Sequence, residues 1–299
     1  GHLNTSPREE QFKLFLDLKR RGCWPGFMIT SRSGETSLPI PLHNHYQMLQ
    51  EDARTLGFRE AIELVVHEKG HVVELGGGTG VLSFFAAKKA AKVWCVEIQP
   101  ALAAKAEELL AKNGRGDIVE VVVEDACLFL PPVPVDTVIC EMLHSALLRE
   151  KQAKVIATFK EGYLKKFGPP LPRFIPEATV LGVEPIERDY DFGGFHAPLP
   201  VFQASGDPER TKSLGDPCVY SIVQYRESFF PPFDLSVSLR FAENGNFNAL
   251  RFVTNNSLAV NETERTSINW RNQNLILPIP SAMTVQPGEE AQVRFAYSA

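Results

Sequence analysis

The stretch Val72-Val73-Glu74-Leu75-Gly76-Gly77-Gly78-Thr79-Gly80 decides the fold. A short β-branched run, His71–Leu75, enters glycines, and the apolar, alanine-rich Val81–Ala91 continues as a helix. Glycines at such a corner admit positive φ and let a ligand approach the backbone closely. In open α/β sheets the corner lies at the carboxyl end of a strand, where ligands bind. The dinucleotide fingerprint G-x-G-x-x-G fails, because counted from Gly76 its last position is Val81. The Gly-Lys-Ser/Thr of a phosphate loop is absent as well. The glycines stand instead at Gly76, Gly78 and Gly80, behind Glu74.

Outward from this turn the elements alternate. Residues 46–68 carry an apolar stripe (Met48, Leu49, Leu56, Ala61, Ile62, Val65) and read as a helix. After the turn, Lys92–Ile98 is a strand. Pro100–Lys112 is a helix with proline at its start and Gly114 beyond its end. Ile118–Val123 and Val135–Cys140 are strands, and Arg149–Leu164 is a helix. This order predicts a parallel sheet with helices on both faces, a Rossmann-like α/β domain over residues 46–172, after an N-terminal segment of residues 1–45. Past Pro172 the runs are short, β-rich and punctuated by Pro, Gly and Asn: Thr179–Ile186, Cys218–Tyr225, Leu235–Phe241, Ala249–Val253, Leu275–Pro278, Met283–Val285 and Ala291–Tyr297. They predict a mostly antiparallel β-barrel or sandwich over residues 173–299, with residues 187–216 as a long loop excursion.

The composition narrows the function. A net charge of −5 without a dense Lys/Arg run argues against a nucleic-acid partner. No apolar run has the length of about 18 residues that a membrane span needs. The five cysteines (Cys23, Cys95, Cys127, Cys140, Cys218) show no metal spacing and read as reduced thiols of a cytoplasmic protein. No metal site is indicated.

Two acids complete the corner. Glu97 ends the second strand, placed to accept hydrogen bonds from ribose hydroxyls, as an acid does in dinucleotide folds. Asp125-Ala126 follows the third strand. With Glu74, Gly76, Gly78 and Gly80, these residues resemble the cofactor site of class I methyltransferases. That resemblance implies S-adenosyl-L-methionine as cofactor, S-adenosyl-L-homocysteine as product, and an adenine beside Asp125-Ala126.

A narrower resemblance rests on further residues. The stretch His71–Ile98, Glu51-Asp52-Ala53-Arg54-Thr55-Leu56, Cys140-Glu141-Met142-Leu143 with Arg149-Glu150, and Thr266–Leu277 with Asn269-Trp270 resemble the protein arginine methyltransferases. The resemblance implies that Arg54 binds the cofactor carboxylate with the paired bonds a guanidinium offers. It implies that Glu141 and Glu150 are the catalytic carboxylates that hold the target guanidinium, and that Trp270 and Asn269 border the acceptor pocket. On one continuous helix the nine-residue interval between the glutamates (150 minus 141) would span about 13.5 Å, so their joint use requires a turn near His144-Ser145. His144 is a candidate proton acceptor there. The chain departs from the family in four places. Met142-Leu143-His144-Ser145 follows Glu141 where the family has Trp and then a Met-Gly-Tyr run. Residues 27–42 lack its Tyr-Phe-rich segment. Asn269 replaces a histidine whose acidic partner belongs to that segment. The region of its helical dimerisation arm is short and proline-rich. The implied reaction is methyl transfer to a guanidino nitrogen of arginine, in a protein or free, with a homodimer left open. A small-molecule N-methyltransferase acting on another amine, and an inactive cofactor-binding scaffold, stay open as alternatives.

Overall fold

The computed structural model describes residues 12–19, 27–31, 42–148, 152–207, 209–227 and 233–297. Strands β1 (Phe12–Lys19) and β2 (Phe27–Ser31) pair antiparallel, and helices α1 (Leu42–Gln50) and α2 (Asp52–Val65) follow. The α/β alternation comes next: β3 (His71–Leu75), α3 (Val81–Ala86), β4 (Lys92–Glu97), α4 (Pro100–Lys112), β5 (Val119–Val123), β6 (Thr137–Cys140), α5 (Gln152–Phe167) and β7 (Arg173–Ile175). The remainder is strand: β8 (Ala178–Arg188), β9 (Val201–Gln203), β10 (Thr211–Ser213), β11 (Cys218–Gln224), β12 (Phe233–Arg240), β13 (Gly245–Asn261), β14 (Thr266–Arg271), β15 (Asn274–Val285) and β16 (Glu290–Tyr297).

The first sheet is parallel, in the order β5-β4-β3-β6-β7. Its central strands are covered on both faces, which is why they read as unbroken apolar runs: all four residues of β6 are buried, and so are Val72 through Leu75 of β3. The strand order reverses at β3. Chain leaving the carboxyl ends of β3, β4 and β6 therefore frames one crevice.

The β half differs in kind. β10-β8-β13-β15-β9 form an antiparallel sheet, with β11 on β8 and β14 on β13, and β12-β16-β1-β2 form a second. Alternation is plain on β16, where Ala291, Val293, Phe295 and Tyr297 are buried between outward residues. The expected barrel is thus a half-barrel, because the strands remain two curled sheets rather than one closed ring. Two strands of the N-terminal segment belong to it: β1 adds to β16 through Asp17↔Arg294, Leu18↔Val293 and Lys19↔Gln292.

Helix α2 joins the halves. Phe58, Ala61, Ile62 and Val65, at the i, i+3, i+4, i+7 spacing of one helical face, are all buried, and α2 lies along β13 and β14. Other expectations change in detail. The single helix of residues 46–68 is two, broken where Glu51 takes extended ψ of 86° before Thr55 N–H returns to its carbonyl. The excursion 187–216 is not structureless: β9 and β10 lie in it, and Asp191 bridges to His196. Thr266–Arg271 is strand β14, and Leu275–Pro278 and Met283–Val285 are parts of one strand. No helix among the described residues is long and apolar enough to cross a membrane.

Candidate active site

The glycine corner hangs on β4. Val96 carbonyl accepts from the N–H groups of Gly76 (3.0 Å) and Gly77 (2.8 Å). Gly76, Gly78 and Gly80 all have positive φ (80°, 56° and 80°), conformations in which side chains are strained. At two of them space is also spoken for. A Cβ on Gly80 would lie 2.9 Å from Leu110 Cδ1 of α4, and one on Gly76 would lie 3.0 Å from Met142 Cγ. The second contact shows that the segment after β6 crosses directly over the corner.

The acids divide their work. Glu74, 2% exposed, is buried at the end of β3, where Oε2 accepts from Ser83 N–H (2.8 Å) and from the Ser83 hydroxyl. Burial pushes its carboxyl up to about 7, against the bonds from Ser83. Glu74 thus anchors the start of α3. Glu97 accepts from Gly78 N–H through Oε2 and from Gln99 N–H through Oε1, each at 2.9 Å. Each oxygen has a second lone pair for a further donor. Asp125 Oδ1 caps Cys127 N–H at 2.8 Å, and Ala126 is buried behind it.

Arg54 and Glu141 form a buried pair, with side chains 8% and 5% exposed. Arg54 Nε donates to Glu141 Oε2 at 3.1 Å, and Nη2 donates to the same oxygen. The guanidinium also lies 5.9 Å from the Phe58 ring centroid. Burial works against the Arg54 charge, but the charge of Glu141 and its hydrogen bond outweigh it, so the Arg54 pKa moves up. Both bonds use Oε2, which leaves Oε1 of Glu141 outside the pair.

Trp270 is 8% exposed, stacks edge-on against Phe58 (6.1 Å between centroids) and donates from Nε1 to Glu51 Oε1 at 2.8 Å. The acid at the break between α1 and α2 is therefore bonded to the tryptophan of β14. Asn269, on the opposite face of β14, turns back to Ser267 through its carbonyl (3.2 Å) and hydroxyl (2.7 Å). The structure thus gathers Arg54, Glu74, the three glycines, Glu97 and Glu141 at one crevice, brings Trp270 to its wall through Glu51, and leaves Asn269 exposed. Glu150 and Cys23 lie outside the described residues. The turn required near His144-Ser145 is present as a 3₁₀ turn over Ser145–Leu147, with Ala146 and Leu147 at positive φ. His144 packs edge-on against Phe202 of β9, 5.1 Å between centroids.

Three residues at the crevice escape a reading by motif. His45 of α1 reaches Gly78, where an added Cβ would lie 3.5 Å from the His45 ring, and its Nε2 is buried without a hydrogen-bond partner. Burial lowers its pKa against the raising charge of Glu97, with Arg54 lowering it further. Ile98, beside Glu97, stays 59% exposed at the crevice, and Gln152 is buried beneath Glu141. In sequence His45 falls just before the helix read over 46–68, Ile98 looks like an ordinary strand-end residue, and Gln152 like an ordinary helical one. Among the described residues no group of three or more His, Cys, Asp or Glu is arranged to hold a metal. The four described cysteines are thiols, with Cys95 and Cys140 buried.

Positive-φ backbone turns, a carboxylate with lone pairs left over at a strand end and a buried guanidinium suit a ligand that carries hydroxyls and a carboxylate. The comparisons with known proteins agree. A family model described as a methyltransferase domain matches residues 72–165. An uncharacterized protein of Methanothermobacter thermautotrophicus is 33% identical over 210 residues, covering 70% of this chain and 75% of that protein. A probable protein arginine N-methyltransferase 6 of Arabidopsis thaliana is 36% identical over 150 residues, 48% of this chain and 33% of that one. In solved structures, the protein arginine methyltransferase 1 enzyme–prozyme complex of Trypanosoma brucei with AdoHcy superposes with a TM-score of 0.72 at 18% identity, covering 85% and 87% of the two chains. The match spans about half, 47%, of a Methanocaldococcus jannaschii relative's own length, and a third of the plant protein's. The chain carries a methyltransferase domain over residues 72–165 and shares the fold of protein arginine methyltransferases.

Proposed function

We propose that the chain transfers a methyl group to a guanidino nitrogen of arginine, in a protein or peptide or as the free amino acid. The observation that carries this reading is Glu141. A carboxylate 5% exposed at the end of β6 holds a guanidinium, that of Arg54, through one oxygen, directly beside the glycine corner. A neutral amine acceptor gains little from a buried carboxylate, whose desolvation is costly. A guanidinium, charged at any physiological pH, requires one.

In this reading the cofactor is S-adenosylmethionine: the glycine corner and Arg54 would hold its amino-acid end, Glu97 its ribose, and Ile98 with Asp125-Ala126 its adenine. His45 closes over Gly78. When bound, S-adenosylmethionine supplies an electrophilic methyl on a sulfonium sulfur. Glu141, through the oxygen that Arg54 does not use, and Glu150 accept hydrogen bonds from the target guanidinium. They draw its positive charge toward themselves and leave electron density on the nitrogen turned to the methyl. Each charge-assisted bond is worth roughly 1.5–3 kcal/mol, and holding the nitrogen in line lowers the barrier further. The relatives named for protein arginine methylation support an arginine acceptor.

The test is methyl transfer from labelled cofactor to an arginine peptide and to free arginine, with each competing against the other. Methylarginine in either acceptor supports the reading, and the competition ranks them. Transfer to lysine peptides or simple amines, with none to arginine, overturns it.

A further inference from the structure

Gln152 opens α5 and is entirely buried. Its side-chain amide faces the chain that leaves β6. Oε1 accepts from Met142 N–H at 2.8 Å, and Nε2 donates to the Cys140 carbonyl at 2.7 Å. A carboxamide carries a donor and an acceptor side by side, as a peptide group does. Here it takes the place of a neighbouring strand and adds one rung that brackets residue 141 from both sides. Among the natural side chains of this length, glutamate lacks the donor and methionine lacks both groups. Oε1 also receives the Cys140 thiol at 3.3 Å.

The clamp is backed by further buried polar groups. The Tyr225 hydroxyl bonds to Gln152 and, at 2.7 Å, to the Thr179 hydroxyl. Thr179 donates to Asn256 Oδ1 (2.8 Å), and Asn256 Nδ2 donates to Asn272 Oδ1 (2.8 Å). All three belong to the β half: Thr179 lies on β8, Asn256 on β13, and Asn272 directly follows β14, the strand that carries Trp270. A fully satisfied buried network of this kind holds one geometry, because each alternative leaves a polar atom unpaired at low dielectric.

We infer that Gln152 is a positioning residue of the transfer site. It fixes the backbone on either side of Glu141 and, standing two residues after Glu150 in the chain, ties the start of α5 to the strand end that carries Glu141. The inference rests on the reading of Glu141 as the guanidinium-binding group, but its geometric half stands apart from any acceptor. The amide of Met142 exists in a loop and would exchange quickly with solvent deuterium if Gln152 did not hold it.

Amide hydrogen exchange and kinetics on the whole chain test both halves. In the wild type the Met142 amide is expected to exchange slowly, and in Gln152→Met at least about tenfold faster, while the Ser83 amide held by Glu74 is unchanged. In the same variant kcat for an arginine peptide is expected to fall roughly ten- to a hundredfold, the cost of a slightly misplaced group. KM and the affinity for S-adenosylhomocysteine should change by no more than about twofold. In a Glu141→Gln background, Gln152→Met should cost nothing more, since residues acting as a unit are non-additive. Should Gln152→Met fail to fold, Tyr225→Phe, which removes one support of the amide, is expected to show a smaller fall with the same non-additivity. A fast-exchanging Met142 amide in the wild type overturns the clamp. Undiminished kcat in a folded Gln152→Met, or losses that add to those of Glu141→Gln, overturn the positioning role. If the wild type makes no methylarginine at all, the functional reading falls, and the exchange measurement still decides the clamp.

Discussion

Arg54 and Glu141 stand 87 residues apart in the chain and meet as a buried pair, with Nε 3.1 Å from Oε2. The pair links α2 to the end of β6, which in the proposed reading face the cofactor and the acceptor. It makes the fate of one residue depend on the other. Glu141→Gln removes the charge but keeps an oxygen that can accept from Arg54. Turnover on arginine is expected to fall about a hundredfold, near the value of one or two charge-assisted hydrogen bonds. S-adenosylhomocysteine should bind as tightly as before or more tightly, because Arg54 is then less committed to a protein carboxylate. Calorimetric titration beside initial-rate kinetics reads both, and a variant with wild-type turnover, or one that no longer binds the product, would contradict the assignment.

Glu97→Ala has the opposite profile. Its carboxylate holds Gly78 N–H and Gln99 N–H and offers its remaining lone pairs to the crevice. The substitution removes the proposed ribose contact and a brace of the glycine corner. Affinity for S-adenosylhomocysteine is expected to fall at least about tenfold, the cost of a lost charge-assisted bond. Calorimetry of the variant checks it, and unchanged affinity would remove Glu97 from the cofactor site.

Glu74 gives the pH dependence. Its carboxyl is raised by burial from an ordinary 4.5 to about 7 in the folded chain. Below 4.5 both folded and unfolded states hold the proton, and its contribution to stability is fully present. As pH rises toward and through 7 the unfolded chain releases the proton more readily, and that contribution is lost, to a total of roughly 3 kcal/mol. Glu74→Gln keeps an acceptor for Ser83 and carries no titrating proton. The stability of Glu74→Gln relative to the wild type should therefore increase between about pH 4.5 and 7.5, measured by chemical denaturation across that range. A difference that stays flat with pH would show that Glu74 does not titrate in this window.

Legibility in the sequence follows the range of each interaction. Strand β3 and helix α4 lie where patterning puts them, since unbroken apolar runs, proline at a first turn and glycine past a last one are local signals. Glu97 and Asp125 stand out because strand ends are local too. The joining of distant segments is not written locally. Nothing near Arg54 announces Glu141, and nothing near Glu51 announces Trp270, 219 residues away. Gln152 is an ordinary helical residue until β6 is laid beside it. That the expected barrel or sandwich is a half-barrel is not legible for a related reason. Whether curled antiparallel strands close into a ring depends on edges and register, not on the alternation each strand carries. Likewise, the short strands β9 and β10 exist only because β15 and β8 offer them partners.

Trp270 and Glu51 supply the last prediction. The indole N–H donates to the carboxylate at 2.8 Å, while the ring packs against Phe58. Trp270→Phe keeps an aromatic ring against Phe58 and removes the donor. Glu51 is exposed, so its carboxylate rehydrates once released, and the stability cost should be small, about 1 kcal/mol or 2–4 °C in Tm. The larger effect should be on ligand binding. Glu51 stands where α1 ends and α2 begins, with His45 on one side and Arg54 on the other, so its tether to β14 sets the angle at which both helices meet the crevice. Affinity for S-adenosylhomocysteine is expected to fall about two- to fivefold, less than for direct loss of a ligand contact. Glu51→Gln, whose amide oxygen still accepts from the indole, should retain most of the wild-type affinity. If Trp270→Phe leaves affinity intact while lowering stability, the pair holds the two halves together without shaping the cofactor site.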